Sequence, residues 1–141
     1  MGDYGATVVQ EILQSSDQLL ARLEAALSQG GLSVAKYSTL SLLADAENAR
    51  LPLSVLAEKL ACARSNVTGL IDRLEAEGLV RRSSSPEDGR ITYAEITDPG
   101  RARLAAAQPS YVAALHEALG GLSPAEQDDL VRLLQKLGGR A

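Results

Sequence analysis

The chain has no tryptophan, no phenylalanine and one cysteine, and aromatic residues make up only 3% of it. Its core must therefore come from Leu, Ala, Val and Ile, with a share of the four tyrosines. A single cysteine closes no internal disulfide. No apolar run approaches the ~20 residues that a membrane span needs. The N-terminus lacks a basic start followed by an apolar segment, which argues against a secretory leader. A cytoplasmic location is expected from these absences, and a membrane partner is not. Only one histidine, His116, is present, and no nucleophile pattern surrounds it. No glycine-rich phosphate loop occurs, and the acidic residues are scattered without pairing. Cys62 and His116 are too few for a usual metal site. An enzyme, a metal and a cofactor are all unexpected on these grounds.

What remains fits one domain: 141 residues, 45% of them hydrophobic, can bury a real core. The net charge of −4 argues, read globally, against a nucleic-acid partner. Its distribution softens that. Residues 59–103 carry eight Lys or Arg against seven Asp or Glu, a net +1, which leaves −5 for the rest. Within that segment Arg64, Arg73, Arg81, Arg82 and Arg90 fall where contact with a nucleic-acid backbone or groove is expected.

The segment from Leu53 to Thr97 is the most informative. Leu51-Pro52-Leu53-Ser54 interrupts regular structure and offers Ser54 as a helix N-cap. Val55, Leu56, Ala57 and Leu60 then give one apolar face. Ala61-Cys62-Ala63 reads as a turn of small residues between closely approaching helices. A second helix is expected from about Arg64 to Glu77. Val67, Leu70, Ile71 and Leu74 follow i, i+3, i+4, i+7 and define its inner face. The outer face carries Ser65, Thr68, Gly69, Asp72 and Arg73, with Arg64 and Asn66 at the flanks. Hydroxyl and amide groups there suit base edges and phosphates, and Gly69 leaves the surface low. A solvated amphipathic helix is the plainer alternative.

Gly78 ends this helix. Leu79–Arg82 and Ile91–Thr97 then read as two strands around a polar tip holding Pro86 and Asp88-Gly89-Arg90. Across the glycine, the Asp88 carboxylate can hold the Arg90 guanidinium in one orientation, ready for a narrow minor groove. Helix, turn, helix and hairpin in this order describe a winged helix-turn-helix. The fold class expected is mainly α with a small antiparallel β wing.

The run Ala63-Arg64-Ser65-Asn66-Val67-Thr68-Gly69-Leu70-Ile71-Asp72-Arg73-Leu74-Glu75-Ala76-Glu77-Gly78-Leu79-Val80-Arg81-Arg82 resembles the recognition helix and first wing strand of MarR-family regulators. The family's acid-x-Arg wing is matched by Asp88-Gly89-Arg90, and its strand-to-helix pattern by Ile96-Thr97-Asp98-Pro99-Gly100-Arg101. The flanking helices fit as well, so the resemblance covers nearly the whole chain. There are departures. Ala63 stands where relatives often have a capping Ser or Asp, which leaves Ser65 to take over the cap. Gly69 stands where relatives often carry a larger polar residue, which shifts base reading toward Arg64, Ser65, Asn66 and Thr68. The resemblance implies a transcriptional regulator of double-stranded DNA, with Arg64, Ser65, Asn66, Thr68, Gly69, Arg73, Asp88 and Arg90 at the interface. A winged helix that binds only protein would have the same fold and is the competing reading.

Four amphipathic helices lie outside this segment. Residues 4–29 carry a stripe of Val9, Ile12, Leu13, Leu20, Leu23 and Leu27, widened by Val8, Leu19 and Ala26. Ser33 caps a helix expected to reach about Ala49, with Tyr37, Leu40, Leu43 and Ala44 inward. Asp98-Pro99 opens a long helix with Leu104, Tyr111, Val112, Leu115 and Leu119 apolar. Ser123-Pro124-Ala125-Glu126 is a capping box with proline in the first turn. The last helix carries Leu130, Val131, Leu133, Leu134 and Leu137. A module of ~45 residues cannot cover all these faces, so a homodimer is expected. Residues 4–32 and 99–141 would be its dimerisation helices and 33–98 the DNA-binding lobe. A twofold dimer sets two reading helices about 34–36 Å apart, on an inverted-repeat operator. Repression is then the default output.

The resemblance also implies control by a small aromatic or phenolic effector between the dimer helices and the reading lobe. Tyr37, Tyr111 and His116 are the candidates for that pocket, with ordinary packing as each one's alternative. Cys62, close to a helix start and to Arg64, offers an oxidant-responsive switch, or is simply a small packing residue.

Overall fold

The computed structural model describes residues 4–60 and 64–140, and for Arg64 and Ser65 the backbone alone. Six helices and a three-stranded antiparallel sheet follow in the order α1 (Tyr4–Leu27), α2 (Val34–Asp45), β1 (Arg50–Pro52), α3 (Leu53–Lys59), α4 (Arg64–Ala76), β2 (Val80–Ser84), β3 (Thr92–Ile96), α5 (Asp98–Leu119) and α6 (Pro124–Leu137). This is the mainly helical winged architecture the sequence predicts. No helix among the described residues is long and apolar enough to cross a membrane.

Side-chain caps fix several helix starts. Ser33 accepts from the Lys36 amide at 3.1 Å, and the Glu24 carboxylate of α1 accepts from the Val34 amide at 2.7 Å. Both satisfy donors that a helix N-terminus leaves open. The Ser123–Glu126 capping box forms in both directions, at 3.1 and 2.9 Å. Thr97 caps α5 by accepting from the Gly100 amide at 3.1 Å.

Three expectations need correction. The second helix stops at Asp45, four residues early, and Glu47–Ala49 forms a single 3-10 turn. Asn48 and Ala49 there both adopt left-handed backbone, φ 59° and 58°, which no α-helix tolerates. Ser54 is not a cap: α3 begins at Leu53, and Pro52 occupies the cap position without a side-chain bond. Arg50–Pro52 is a third strand, pairing Arg50 with Glu95, Leu51 with Ala94 and Pro52 with Tyr93. The sheet order β1-β3-β2 makes β1 an edge, where a proline with no amide to donate is tolerated. Arg50 also lies over the Tyr93 ring, 4.3 Å from its centroid.

One core holds the lobe together. Leu40 and Leu43 of α2, Leu56 of α3, and Val67, Ile71 and Leu74 of α4 are fully buried against Leu79, Val80, Ala94 and Ile96 of the sheet side. Leu27, Tyr37 and Ala107 carry this core to α1 and α5. The far ends of α1 and α6 contrast with it. Val9, Leu13 and Leu20 are exposed, and α6 has no buried residue at all.

Candidate nucleic-acid interface

Helix α4 exists because its two faces differ. Val67, Leu70, Ile71 and Leu74 are buried, as the 3.6-residue period requires. Asn66, Thr68, Asp72 and Arg73 are exposed on the other side. A Cβ built on Gly69 would meet only the Arg73 Nη1, at 3.6 Å. Packing therefore does not demand glycine at position 69. The bare backbone there is a property of the outer surface. Arg64 and Ser65 open the helix, but their side chains, like Cys62, lie outside the described residues.

The helix ends at Gly78 with φ +76°, and β2 turns back beside it. Strands β2 and β3 pair from Val80–Ile96 to Ser84–Thr92. Beyond them the tip is built by side chains. The Ser85 hydroxyl accepts from the amides of Glu87 and Asp88, both at 3.3 Å, and the Ile91 amide donates to the Asp88 carbonyl at 3.0 Å. Asp88 then clamps Arg90 three ways. The Arg90 amide and Nε both donate to Oδ1 at 3.0 Å, and Nη2 donates to Oδ2 at 3.2 Å. These side-chain and backbone bonds hold the Asp88 carboxyl below its ordinary range. The clamp is thus intact at neutral pH and is lost only as acid protonates Asp88 through that lowered value. It leaves the Arg90 side chain 92% exposed. A cation held out at a hairpin tip, already ordered, is a ready group for a narrow anionic groove.

The other wing arginines, unlike Arg90, are engaged with acids of neighbouring elements. Arg81 pairs with Glu95 on β3, its Nε donating at 3.0 Å. Arg82 turns inward to α4, and its Nη1 donates to Glu75 Oε1 at 2.9 Å. Neighbouring arginines on a strand point to opposite faces, so Arg81 finds a cross-strand acid and Arg82 the acids of the helix beneath, a signal that composition alone hides.

A cavity of about 470 Å³ lies between the lobe and α5. Tyr37, Ser38 and Ser41 of α2, Lys59 of α3 and Tyr111 and Leu115 of α5 line it. The Tyr37 and Tyr111 rings stack with centroids 4.0 Å apart. Burial first, and Tyr111 second, raise the Tyr37 hydroxyl above its ordinary value, so it remains a neutral donor. His116 is exposed and does not line this cavity. Lys59 does line it. Among the described residues no cluster of three or more metal-ligating side chains occurs.

Comparison with known proteins gives a consistent result. The model of the MarR family matches residues 32–92. The Bacillus subtilis transcriptional repressor YetL is 35% identical over 107 residues, 76% of this chain, and the chain spans 64% of YetL's length. Sco3205, a MarR family regulator from Streptomyces coelicolor solved in complex with DNA, superposes with a TM-score of 0.91 at 27% identity, over 98% of this chain and 88% of that one. BpsR of Bordetella bronchiseptica, whose DNA binding is regulated by 6-hydroxynicotinic acid, superposes at 0.84 and 27% identity, over 93% and 92% of the two chains.

Proposed function

The chain belongs to the MarR family of transcriptional regulators, and from that premise we propose that it is a homodimeric repressor of double-stranded DNA, released by a small aromatic acid. Residues 33–98 are the reading lobe, and residues 4–32 and 99–141 the arms that pair two copies. Asn66 and Thr68, with Arg64, Ser65 and the bare backbone at Gly69, face the bases of a major groove. Arg73 serves the phosphates, and Arg90, aimed by Asp88, serves the flanking minor groove. The observation that carries this reading is the Asp88–Arg90 clamp. It spends three hydrogen bonds to hold out a charge that touches no other part of the fold among the described residues.

The test is titration of duplex from the region upstream of the chain's own gene at several salt concentrations. Saturable binding that prefers this duplex over unrelated DNA is expected. Arg90→Ala should weaken it about ten- to a hundredfold, the ~1–3 kcal/mol of a groove contact, without changing dimerisation. A winged helix that binds only protein would show no preference, and the variant would change nothing.

The cavity supports the effector. Tyr111, stacked on the buried Tyr37, lines it with an aromatic wall, and Lys59 at its edge offers a cation for a carboxylate or phenolate. Its size suits a single aromatic ring with small substituents. BpsR's regulation by an aromatic acid favours the same class here. Because α3 directly precedes α4 in the chain and packs against it, a ligand held between Lys59 and α5 biases where the reading helix sits. Lys59→Met should weaken binding of 4-hydroxybenzoate, followed by calorimetry, about three- to tenfold, the modest loss expected of an exposed cation. An unchanged affinity would place the ligand elsewhere.

A further inference from the structure

Side chains on β2 alternate, and that alternation sends neighbouring arginines to opposite tasks. Arg81 is tied to Glu95 across the sheet. Arg82 points to α4 and meets it along two turns. Its Nη2 donates to the Thr68 carbonyl at 3.2 Å and to the Asp72 carboxylate. Its Nη1 donates to Glu75 Oε1 at 2.9 Å, and its backbone amide to Glu75 Oε2 at 3.0 Å. Its side chain is 26% exposed, against 92% for Arg90. Burial works against its charge, but Asp72 and then Glu75 outweigh that and raise its affinity for the proton. The guanidinium is thus committed to the protein on both edges of its fork.

We propose that Arg82 is a positioning residue for DNA reading: it fixes the rotation of α4 relative to the wing and draws Asp72 and Glu75 away from the phosphates. The inference rests on the DNA-binding reading given above. Its Thr68 contact lies on the same turn as the exposed Asn66 and Thr68 side chains. A small roll of α4 would therefore move the groups assigned to the bases. The same roll would leave the scattered contacts to phosphate nearly intact. Asp72 and Glu75 are 60% and 41% exposed, and without Arg82 they would stand as two unopposed negative charges on the reading helix. Only a planar fork reaches a carbonyl and two carboxylates at once, so lysine is not equivalent.

The experiment measures Arg82→Met and Arg82→Lys dimers against two duplexes, the upstream site and an unrelated sequence, over a salt series. For Arg82→Met, affinity for the specific site should fall about ten- to a hundredfold, while nonspecific affinity falls only about two- to threefold through the unopposed Asp72 and Glu75 charges, and the salt slope changes by less than the ~0.9 of one phosphate contact. Arg82→Lys should recover only part of the loss. Adding Asp72→Ala to Arg82→Met should restore the nonspecific part of the loss, because it removes a charge left without its partner, but not the specificity ratio, which depends on the position of α4. Should Arg82→Met fail to fold, Asp72→Asn alone carries the comparison, and a lost specificity ratio is again the expected result. A salt slope shallower by ~0.9 with equal losses on both duplexes would make Arg82 a phosphate contact and overturn the proposal. An unchanged specificity ratio in a folded variant would overturn it too. If the unaltered protein prefers neither duplex, the DNA-binding reading itself falls, and that outcome is separate because it needs no variant.

Discussion

Gly100→Ala is expected to unfold this protein at markedly lower temperature, by about 10 °C, for a loss of ~3 kcal/mol or more. Gly100 is buried in the first turn of α5. A Cβ there would lie deep inside the van der Waals surface of the Leu79 carbonyl oxygen and 2.8 Å from Ile96 Cγ1. Neither neighbour can retreat. The Leu79 carbonyl accepts from the Thr97 amide at 3.1 Å, and Thr97 Oγ1 donates to the Gly78 carbonyl at 2.6 Å. These bonds lash the start of α5 to the turn that ends α4. An added methyl must break the lash or bend one helix away. The backbone at Gly100 is helical, so alanine would otherwise be favoured there, and the sign of the result isolates the contact. Thermal unfolding at fixed protein concentration measures it. A melting temperature unchanged or raised would mean that α5 and the Leu79 turn do not touch as described. Gly121→Ala is the control, since nothing lies within 4 Å of its would-be Cβ.

The Gly100 contact also shows where sequence reading ends. The pattern Ile96–Arg101 marks a strand passing into a helix, but no pattern tells that the carbonyl beneath Gly100 comes from Leu79. That fact belongs to the packed fold. Local chemistry was legible wherever the partners are a few residues apart: the Ser123–Glu126 box, the Asp88–Arg90 clamp, the buried face of α4 and the stop at Gly78. It failed where partners are distant. The strand Arg50–Pro52 is three residues long, too short for alternation to register, and it exists because β3 offers an edge. Ser54 looked like a cap, but pairing of Pro52 with Tyr93 moves the cap to Pro52, two residues earlier. Counting arginines in the reading segment treated Arg81 and Arg82 as free charge, whereas Arg81 pairs with an acid fourteen residues on and Arg82 with acids ten and seven residues back on α4. The cavity was half legible. Tyr37 and Tyr111 meet in it, while His116 faces solvent and Lys59 takes the polar place.

The second large effect concerns the apolar surface that one chain leaves open. Leu13 and Val131 are 60% and 55% exposed, and Val131 shares with the exposed Leu130, Leu134 and Leu137 a helix that has no buried residue. An isolated chain has no reason to keep α6 in place with such a surface turned to water. In the twofold dimer proposed above, a residue of this surface placed at the seam would be buried twice, once in each copy. Changing one to a charged residue then removes ~1.5–3 kcal/mol of apolar burial per site and adds the cost of enclosing a carboxylate. Leu13→Glu combined with Val131→Glu should raise the dimer dissociation constant by about ten-thousandfold or more, on that arithmetic doubled by symmetry. Within one chain the same positions face solvent, so helix content should hardly change. Operator affinity should fall about a hundredfold or more, because the second half-site loses the millimolar effective concentration that its tethered partner supplied. Sedimentation equilibrium and DNA titration of the same sample read both effects. A variant that remains dimeric would move the interface away from α1 and α6. A variant that is monomeric yet binds the full operator with undiminished affinity would show that each lobe reads DNA alone, and the geometry of paired half-sites would have to be abandoned.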